Sequence, residues 1–247
     1  MSTDFIKEIL FEGAIEKDSY LANIPSVRYL EENRRLPITH DITIFVGENG
    51  TGKSTLMEAV AVACGFNAEG GSRNFCFSTE NTHSDLYKNI RISRRRTHRD
   101  GFFLRAESFY NVASNIDELD RQPAGAPPII LSYGGVSLHK QSHGESFLAL
   151  VENRFGGNGL YILDEPEAAL SPMRLLTLMA HINALVDKNS QFIISTHSPM
   201  LMAMPRAQIF ELSQSGIQEK SYKDTEHYRV TKAFLNNPER ILENLLG

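Results

Sequence analysis

Residues 47–54 form a glycine-rich segment, Gly-Glu-Asn-Gly-Thr-Gly-Lys-Ser, that fits the pattern G-x-x-x-x-G-K-[ST] without a mismatch. Glycines in such a loop let backbone N–H groups turn toward phosphate oxygens, and the following helix adds a favourable dipole. Lys53 could then reach the β- and γ-phosphates of a nucleoside triphosphate, and the Ser54 hydroxyl could ligate Mg²⁺. The alternative is a glycine-rich turn that binds nothing. The predicted phosphate-binding residues are Gly47, Glu48, Asn49, Gly50, Thr51, Gly52, Lys53, Ser54 and Thr55.

Two acids follow the apolar run of residues 160–163. Asp164, at the carboxyl end of a predicted strand, can hold Mg²⁺ through water, and Glu165 can act as general base on the attacking water. Two acids after a strand are by themselves more often a helix N-cap, but a phosphate-binding loop in the same chain favours the catalytic interpretation.

His197 follows a third apolar run, residues 192–195. At the tip of a parallel strand beside the other two segments, its imidazole could hydrogen-bond the γ-phosphate. The alternative is a structural histidine. We therefore predict Glu165 and His197 as the catalytic residues.

These residues require a particular set of elements to position them. The sequence predicts strands over residues 42–46, 160–163 and 192–195, with helices over 54–64, over 145–155 and from Ser171-Pro172 onward. Strands that alternate with helices predict a mainly parallel sheet in the α/β class. Residues 86–106 predict a β-hairpin with its turn near Asp100-Gly101, and residues 111–141 an irregular stretch with one short helix.

Composition limits the class of protein further. Apolar residues make up 41% of the chain and charged residues 22%, as in soluble globular proteins. No apolar stretch is long enough to span a membrane, and the N-terminus lacks the apolar core of a secretory signal. The two cysteines, Cys64 and Cys76, are too few for a disulfide scaffold or a four-ligand zinc site. We expect a cytoplasmic protein with no direct membrane insertion.

A basic segment stands out against the net charge of −5. Residues 86–105 carry seven basic side chains against the single acid Asp100. One interpretation is a solvated hairpin face, and the other is a surface that contacts the phosphates of a nucleic acid. The arginines concerned are Arg91, Arg94, Arg95, Arg96 and Arg99.

Together, these motifs resemble the ABC ATPase superfamily over residues 42–202. The resemblance implies ATP and Mg²⁺ as ligands and a homodimer in which a signature loop of one subunit caps the ATP of the other. The segment Ser142-His143-Gly144-Glu145-Ser146 is similar to that loop and lies 22 residues before Asp164. The resemblance thus assigns Ser142, Gly144 and Glu145 to the partner's ATP. The alternative is an ordinary helix N-cap.

Residues 165–172, Glu-Pro-Glu-Ala-Ala-Leu-Ser-Pro, resemble the soluble ABC-type ATPases related to RecF, the chromosome-maintenance ATPases and the overcoming-lysogenization-defect proteins. The chain also resembles the short stand-alone predicted AAA-like ATPases. Transporter ATPases usually carry Asp where Ser171 stands. The resemblance favours an ATP-driven dimerisation switch in DNA-related, repair or defence processes, with a possible separate effector protein. The alternative is the nucleotide-binding subunit of an ABC transporter.

The resemblance also suggests a Mg²⁺-sensing residue and a domain organisation. Transporter ATPases sense Mg²⁺ through a glutamine, and Glu107 occupies the equivalent stretch here. We expect one ABC-type ATPase domain over residues 1–247. Within it, residues 1–41 and 86–106 would form a β-rich lobe, residues 111–155 a short helical lobe, and the remainder the P-loop core.

Overall fold

A computed structural model describes residues 5–72, 84–121 and 127–247. The strands within these ranges are, in chain order, β1 (Glu8–Phe11), β2 (Arg35–Pro37), β3 (Ile42–Gly47), β4 (Ile90–Ser93), β5 (Asp100–Arg105), β6 (Gly159–Asp164), β7 (Gln191–Ser195), β8 (Ala207–Ser213) and β9 (Gly216–Glu219). The α-helices are α1 (Pro25–Asn33), α2 (Lys53–Ala63), α3 (Phe109–Arg121), α4 (His143–Arg154), α5 (Pro172–Val186), α6 (Pro199–Met202), α7 (Glu226–Asn236) and α8 (Pro238–Leu246).

The described strands form two sheets. The larger has six strands in the order β5-β6-β7-β3-β8-β9 and is parallel except for β9, which pairs antiparallel with β8. The smaller has the order β2-β1-β4 and is antiparallel. The prediction of an α/β fold with a mainly parallel core sheet and a β-rich N-terminal part is confirmed.

Side chains alternate between the two faces of the core sheet, as a period of two requires. Ile44, Leu163 and Ile194 join α3, α4 and α5 in one buried cluster. Phe45 and Ile193 point to the other face and pack with α1, α2 and the small sheet. Since helices cover both faces, the inner strands β3, β6 and β7 are largely apolar on both sides. Their carboxyl ends form the edge where the motifs meet.

The predicted hairpin over residues 86–106 is wrong. Strand β4 pairs with β1, with Ile92 opposite Ile9, whereas β5 enters the core sheet with Phe103 opposite Ile162 of β6. The Asp100-Gly101 pair begins β5 and forms no turn. The physical reason is that β5 is apolar on both faces. Such a run belongs in a parallel sheet covered on both sides, while β4 is only half buried.

Two helix starts carry the local signals that the sequence contains. Ser171 caps α5 by accepting a hydrogen bond from the backbone N–H of Arg174, and Pro172 occupies the first helical position. Helix α4 begins after Ser142, which forms a reciprocal capping box with Glu145. Helix α3 covers the first part of the stretch, residues 111–141, predicted to be irregular with one short helix.

Candidate nucleotide-binding site

The glycine-rich loop lies between β3 and α2, as the motif requires. Gly47, Gly50 and Gly52 have φ angles of +147°, +82° and +95°. A Cβ at Gly47 would lie 2.2 Å from the carbonyl oxygen of Leu212, and one at Gly52 would lie 2.2 Å from Ser26 Oγ. Only glycine allows both this backbone and these approaches, so the loop conformation depends on its glycines.

Lys53 opens helix α2 with its side chain turned back into the loop. Its Nζ donates to the carbonyl oxygens of Gly47, at 2.7 Å, and Glu48, at 3.2 Å. Burial lowers the pKa of the Lys53 ammonium, and the carboxylates of Glu165 and Asp164 oppose that shift. Among the described residues, this buried cation donates its hydrogen bonds to loop carbonyls alone, which makes it well suited to an anionic ligand.

The other residues of the loop divide by burial. Thr51 is buried and its hydroxyl donates to the Glu48 carbonyl, at 2.7 Å. Asn49 and Gly50 are exposed, whereas Ser54 and Thr55 are half-buried in the first turn of α2. The helix N-terminus and its free N–H groups therefore face the loop.

Sheet register brings Asp164 to the same edge as the loop. Ser195 lies beside Asp164 on one side and beside Phe45 on the other, two residues before Gly47. The Ser195 hydroxyl donates to the Asp164 carboxylate, and Asp164 itself is buried. The strand ends thus place a desolvated carboxylate close to the phosphate-binding loop.

Arg105, at the end of β5, forms an ion pair with that carboxylate. Its Nε lies 3.3 Å from Asp164 Oδ2, and its Nη1 lies 3.0 Å from Glu58 Oε2 on α2. Burial raises the pKa of Asp164, although the Ser195 hydrogen bond and the Arg105 charge act in the opposite direction. A carboxylate that burial penalises in this way gains from a nearby cation.

Glu107 is linked to this cluster only through Arg105, whose Nη2 lies 3.7 Å from Glu107 Oε2. The Glu107 side chain is 86% exposed. It is therefore an exposed surface carboxylate near Asp164, and its predicted metal-ligand role stays a prediction.

Glu165 has a backbone conformation that is rare outside glycine, with φ +51° and ψ +51°. Its N–H donates to the Ser195 carbonyl at 3.1 Å, and its Oε1 lies 3.3 Å from Nε2 of His197. The backbone N–H of His197 in turn donates to Oε1 of Glu167, at 2.6 Å. The two predicted catalytic side chains are therefore in contact, and the strained backbone of Glu165 sets the direction of its side chain.

The oxygen atoms of Asp164 and Ser54 are suitable ligands for Mg²⁺. Among the described residues, no group of three or more His, Cys, Asp or Glu side chains could form an all-protein metal cage. Mg²⁺ is typically held by one or two protein oxygens together with substrate phosphates and waters. Asp164 and the half-buried Ser54 hydroxyl offer such oxygens at this edge of the sheet.

A cavity of about 380 Å³ borders the loop. Its wall continues from Gly47, Glu48 and Thr51 into the turn after β8 and the start of α7, where His227 lies. His227 Nε2 is 3.2 Å from His197 Nδ1. The C-terminal helix α7 therefore contributes to the surroundings of the predicted site.

Ser142 lies at the start of α4, where its contacts are to Glu145 and Arg174. Nη1 of Arg174 donates to Ser142 Oγ at 3.2 Å, and Nη2 lies 3.0 Å from Glu145 Oε1. A Cβ at Gly144 would lie 2.6 Å from Nη1 of the Arg174 side chain and 3.1 Å from the carbonyl oxygen of Ala169, so this turn lies close to the segment that leads into α5. The segment thus acts locally as a helix cap, and its role toward a partner's ATP stays a prediction.

The basic segment does not form one uniform surface. Nη2 of Arg94, which is half-buried, donates to the Ala63 carbonyl at the end of α2, at 3.1 Å. Arg91 pairs with Glu12 at 3.3 Å. The exposed members beyond Arg91 are Arg95, Arg96 and Arg99.

Sequence reasoning missed four residues of this region. Arg105 is a charged residue at the end of β5, and Glu167 lies two residues after Glu165, so their positions in the sequence were available signals. Arg174 and His227 contact the site from distant parts of the chain, and nothing in the sequence indicates their partners.

Two family models match the sequence. A model described as "AAA domain" matches residues 21–122, and one described as "AAA domain, putative AbiEii toxin, Type IV TA system" matches residues 77–203, about half of the chain. No curated protein matches.

Solved structures match the fold at low sequence identity. A nucleotide-free ATP-binding cassette from an ABC transporter has a TM-score of 0.54 at 14% identity, with 93% of this chain and 95% of that chain covered. An ATP-binding cassette of an ABC transporter has a TM-score of 0.52 at 13% identity, with 99% of both chains covered. No helix within the described residues is long and apolar enough to cross a membrane.

Proposed function

The chain belongs to this AAA-domain family of P-loop ATPases with an ABC-type fold, and on that premise we propose that it binds ATP and Mg²⁺ and hydrolyses ATP to ADP and phosphate. The contact between Glu165 and His197 carries the proposal, because the carboxylate that we propose as general base lies 3.3 Å from the imidazole that we propose to face the γ-phosphate.

Each residue has a distinct part in this reaction. Lys53 exchanges its contacts with the loop carbonyls for the β- and γ-phosphates. Glu165 Oε1 accepts a proton from the attacking water, and His197 Nε2–H donates to the γ-phosphate. Ser54 and Asp164 would hold Mg²⁺, which would neutralise charge on the phosphates when bound. The desolvation of Asp164 and the strained backbone of Glu165 support these assignments.

We further propose a homodimer in which ATP lies between two subunits. Ser142, Gly144 and Glu145 of one chain cap the nucleotide held by Lys53 of the other. Support comes from the position of Ser142 at the start of α4, where Arg174 donates to its hydroxyl, and from the close approach of Arg174 to Gly144. Hydrolysis would then reset a dimerisation switch.

The process served by this switch is proposed to be DNA-related, or one of repair or defence. The family description names a toxin of a type IV toxin–antitoxin system, which favours defence. The alternative is the nucleotide-binding subunit of an ABC transporter. ATPase rates with and without single- and double-stranded DNA separate the two, because a transporter subunit should not respond to either.

Glu165→Gln tests the reaction itself. The variant should bind ATP as the parent does and lose turnover by ~10²-fold or more, as expected for removal of a general base. Lys53→Ala should instead weaken nucleotide binding. Both are measured by phosphate release and by titration with a fluorescent ATP analogue. Turnover at the parental rate in Glu165→Gln would remove Glu165 as the base.

A further inference from the structure

Two histidines from distant parts of the chain meet at the predicted site. His197 follows β7, and His227 lies in the first turn of α7. Nδ1 of His197 and Nε2 of His227 are 3.2 Å apart, and the ring centroids are 5.4 Å apart. At 3.2 Å, one nitrogen must donate a proton and the other must accept it.

The other side of His197 decides which nitrogen donates. Its Nε2 lies 3.3 Å from the carboxylate of Glu165, and an ionised carboxylate can only accept. His197 therefore carries its proton on Nε2, and a neutral imidazole then has a lone pair on Nδ1. That lone pair accepts from Nε2–H of His227.

The surroundings of His227 agree with this assignment. Burial, together with the nearby charge of Lys53, lowers the pKa of His227, which favours a neutral imidazole with one N–H. Its Nδ1 is buried and has no hydrogen-bond partner among the described residues. A proton on Nδ1 would thus be a buried donor without an acceptor, which is costly. The proton belongs on Nε2.

The start of α7 is held firmly against the core sheet. Thr225 is buried and caps the helix by accepting from the N–H of Tyr228. The N–H of Glu226 donates to Oε1 of Glu211 at 2.8 Å, and Glu211 lies on β8 beside Val46 of β3. No residue of α7 or α8 is buried. Through His227, helix α7 therefore contacts His197 of the predicted site, although α7 and α8 have no buried residue.

We propose that His227 is a positioning residue for ATP hydrolysis, whose Nε2–H holds His197 in the tautomer that presents Nε2–H to Glu165 and to the γ-phosphate. The inference rests on the proposed function, since it concerns the same site. His227 acts through His197 and need not touch the nucleotide.

Steady-state kinetics test the proposal with three variants. His227→Phe keeps a ring but lacks the donor, and should lower kcat roughly 3- to 10-fold with KM changed less than about 2-fold, as for loss of one hydrogen bond. His227→Gln places an amide N–H near the same position and should recover kcat to within about 2-fold of the parent. Arg229→Gln, on an exposed part of the same helix turn, is the matched control and should behave as the parent.

Two kinetic outcomes overturn the positioning role. One is a parental kcat in His227→Phe. The other is a kcat in His227→Gln as low as that of His227→Phe, because a purely structural ring would not be rescued by an amide.

A spectroscopic readout separates this proposal from the proposed function. In protein labelled with ¹⁵N-histidine, the His197 ring should show a protonated Nε2 and an unprotonated Nδ1, and His227→Phe should shift the Nδ1 signal or mix the tautomers. Spectra of His197 that do not change in His227→Phe overturn the pairing even if ATP is hydrolysed. An altered spectrum in a protein that does not hydrolyse ATP leaves the pairing intact and overturns the proposed function.

Discussion

Replacing Asp100 with Asn should destabilise the fold at the edge of the sheet opposite the nucleotide site. The Asp100 carboxylate opens β5 and accepts hydrogen bonds from Arg154, at 2.7 Å, from the Tyr161 hydroxyl, at 2.8 Å, and from the N–H of Gly156, at 3.2 Å. These bonds join β5, β6 and the end of α4. They also support the β5–β6 register that brings Arg105 beside Asp164.

We expect Asp100→Asn to lower the free energy of unfolding by about 2–3 kcal/mol at pH 7. A hydrogen bond to a charged group is typically worth about 1.5–3 kcal/mol, and breaking a fully buried ion pair costs about 3–5 kcal/mol. The Asp100 and Arg154 side chains are 21% and 24% exposed, so water screens part of the attraction between their charges, and the cost of breaking this ion pair is lower. The asparagine oxygen can still accept from Tyr161, which limits the loss further.

The loss should also depend on pH. Burial by itself raises the pKa of Asp100, but the hydrogen bonds from Arg154 and Tyr161 outweigh it, and the pKa lies below its ordinary value. The folded protein thus binds this proton less readily than the unfolded chain. The stabilisation is present above the unfolded pKa of about 3.9 and is lost as the pH falls from there through the folded pKa.

Urea unfolding of the parent and of Asp100→Asn at pH 7, 5 and 3.5 measures the difference between their free energies of unfolding. This difference should be constant between pH 7 and 5 and smaller at pH 3.5. Asp187→Asn is the matched control, because its ion pair with Arg206 is more than 60% exposed on both sides and should contribute less than about 1 kcal/mol. A difference for Asp100→Asn below about 0.5 kcal/mol at pH 7, or one that grows toward pH 3.5, would refute the reasoning.

Two further predictions concern partners. If the basic segment contacts nucleic acid, replacing the exposed Arg95, Arg96 and Arg99 with Ala should reduce the salt dependence of DNA binding by roughly 0.7–0.9 in log–log slope per lost contact, and an unchanged slope supports a solvated face. If the site is shared between subunits, Lys53→Ala and Ser142→Arg should each abolish hydrolysis alone, while their mixture should regain activity. A mixture that stays inactive, together with a Glu165→Gln variant that stays monomeric at saturating ATP, would exclude the shared site.

Much of the predicted site followed from local sequence alone. The glycine-rich loop has a conformation that only glycine allows, so its residue types specify its backbone. The acids at Asp164 and Glu165 follow a strand that is apolar on both faces, and such strands pair in parallel between helices. Because parallel strands end at one edge, strand order along the chain also predicted that these residues and His197 lie together.

Only the tertiary structure decided the partners of these residues. The short strands β4 and β5 are adjacent in sequence, yet they belong to different sheets, because a strand pattern specifies which side chains are buried and not which strand lies beside it. His197 and His227 meet across 30 residues, and Arg105 reaches Asp164 through pairing between β5 and β6. Such contacts depend on the packing of whole elements, which no local propensity or spacing encodes.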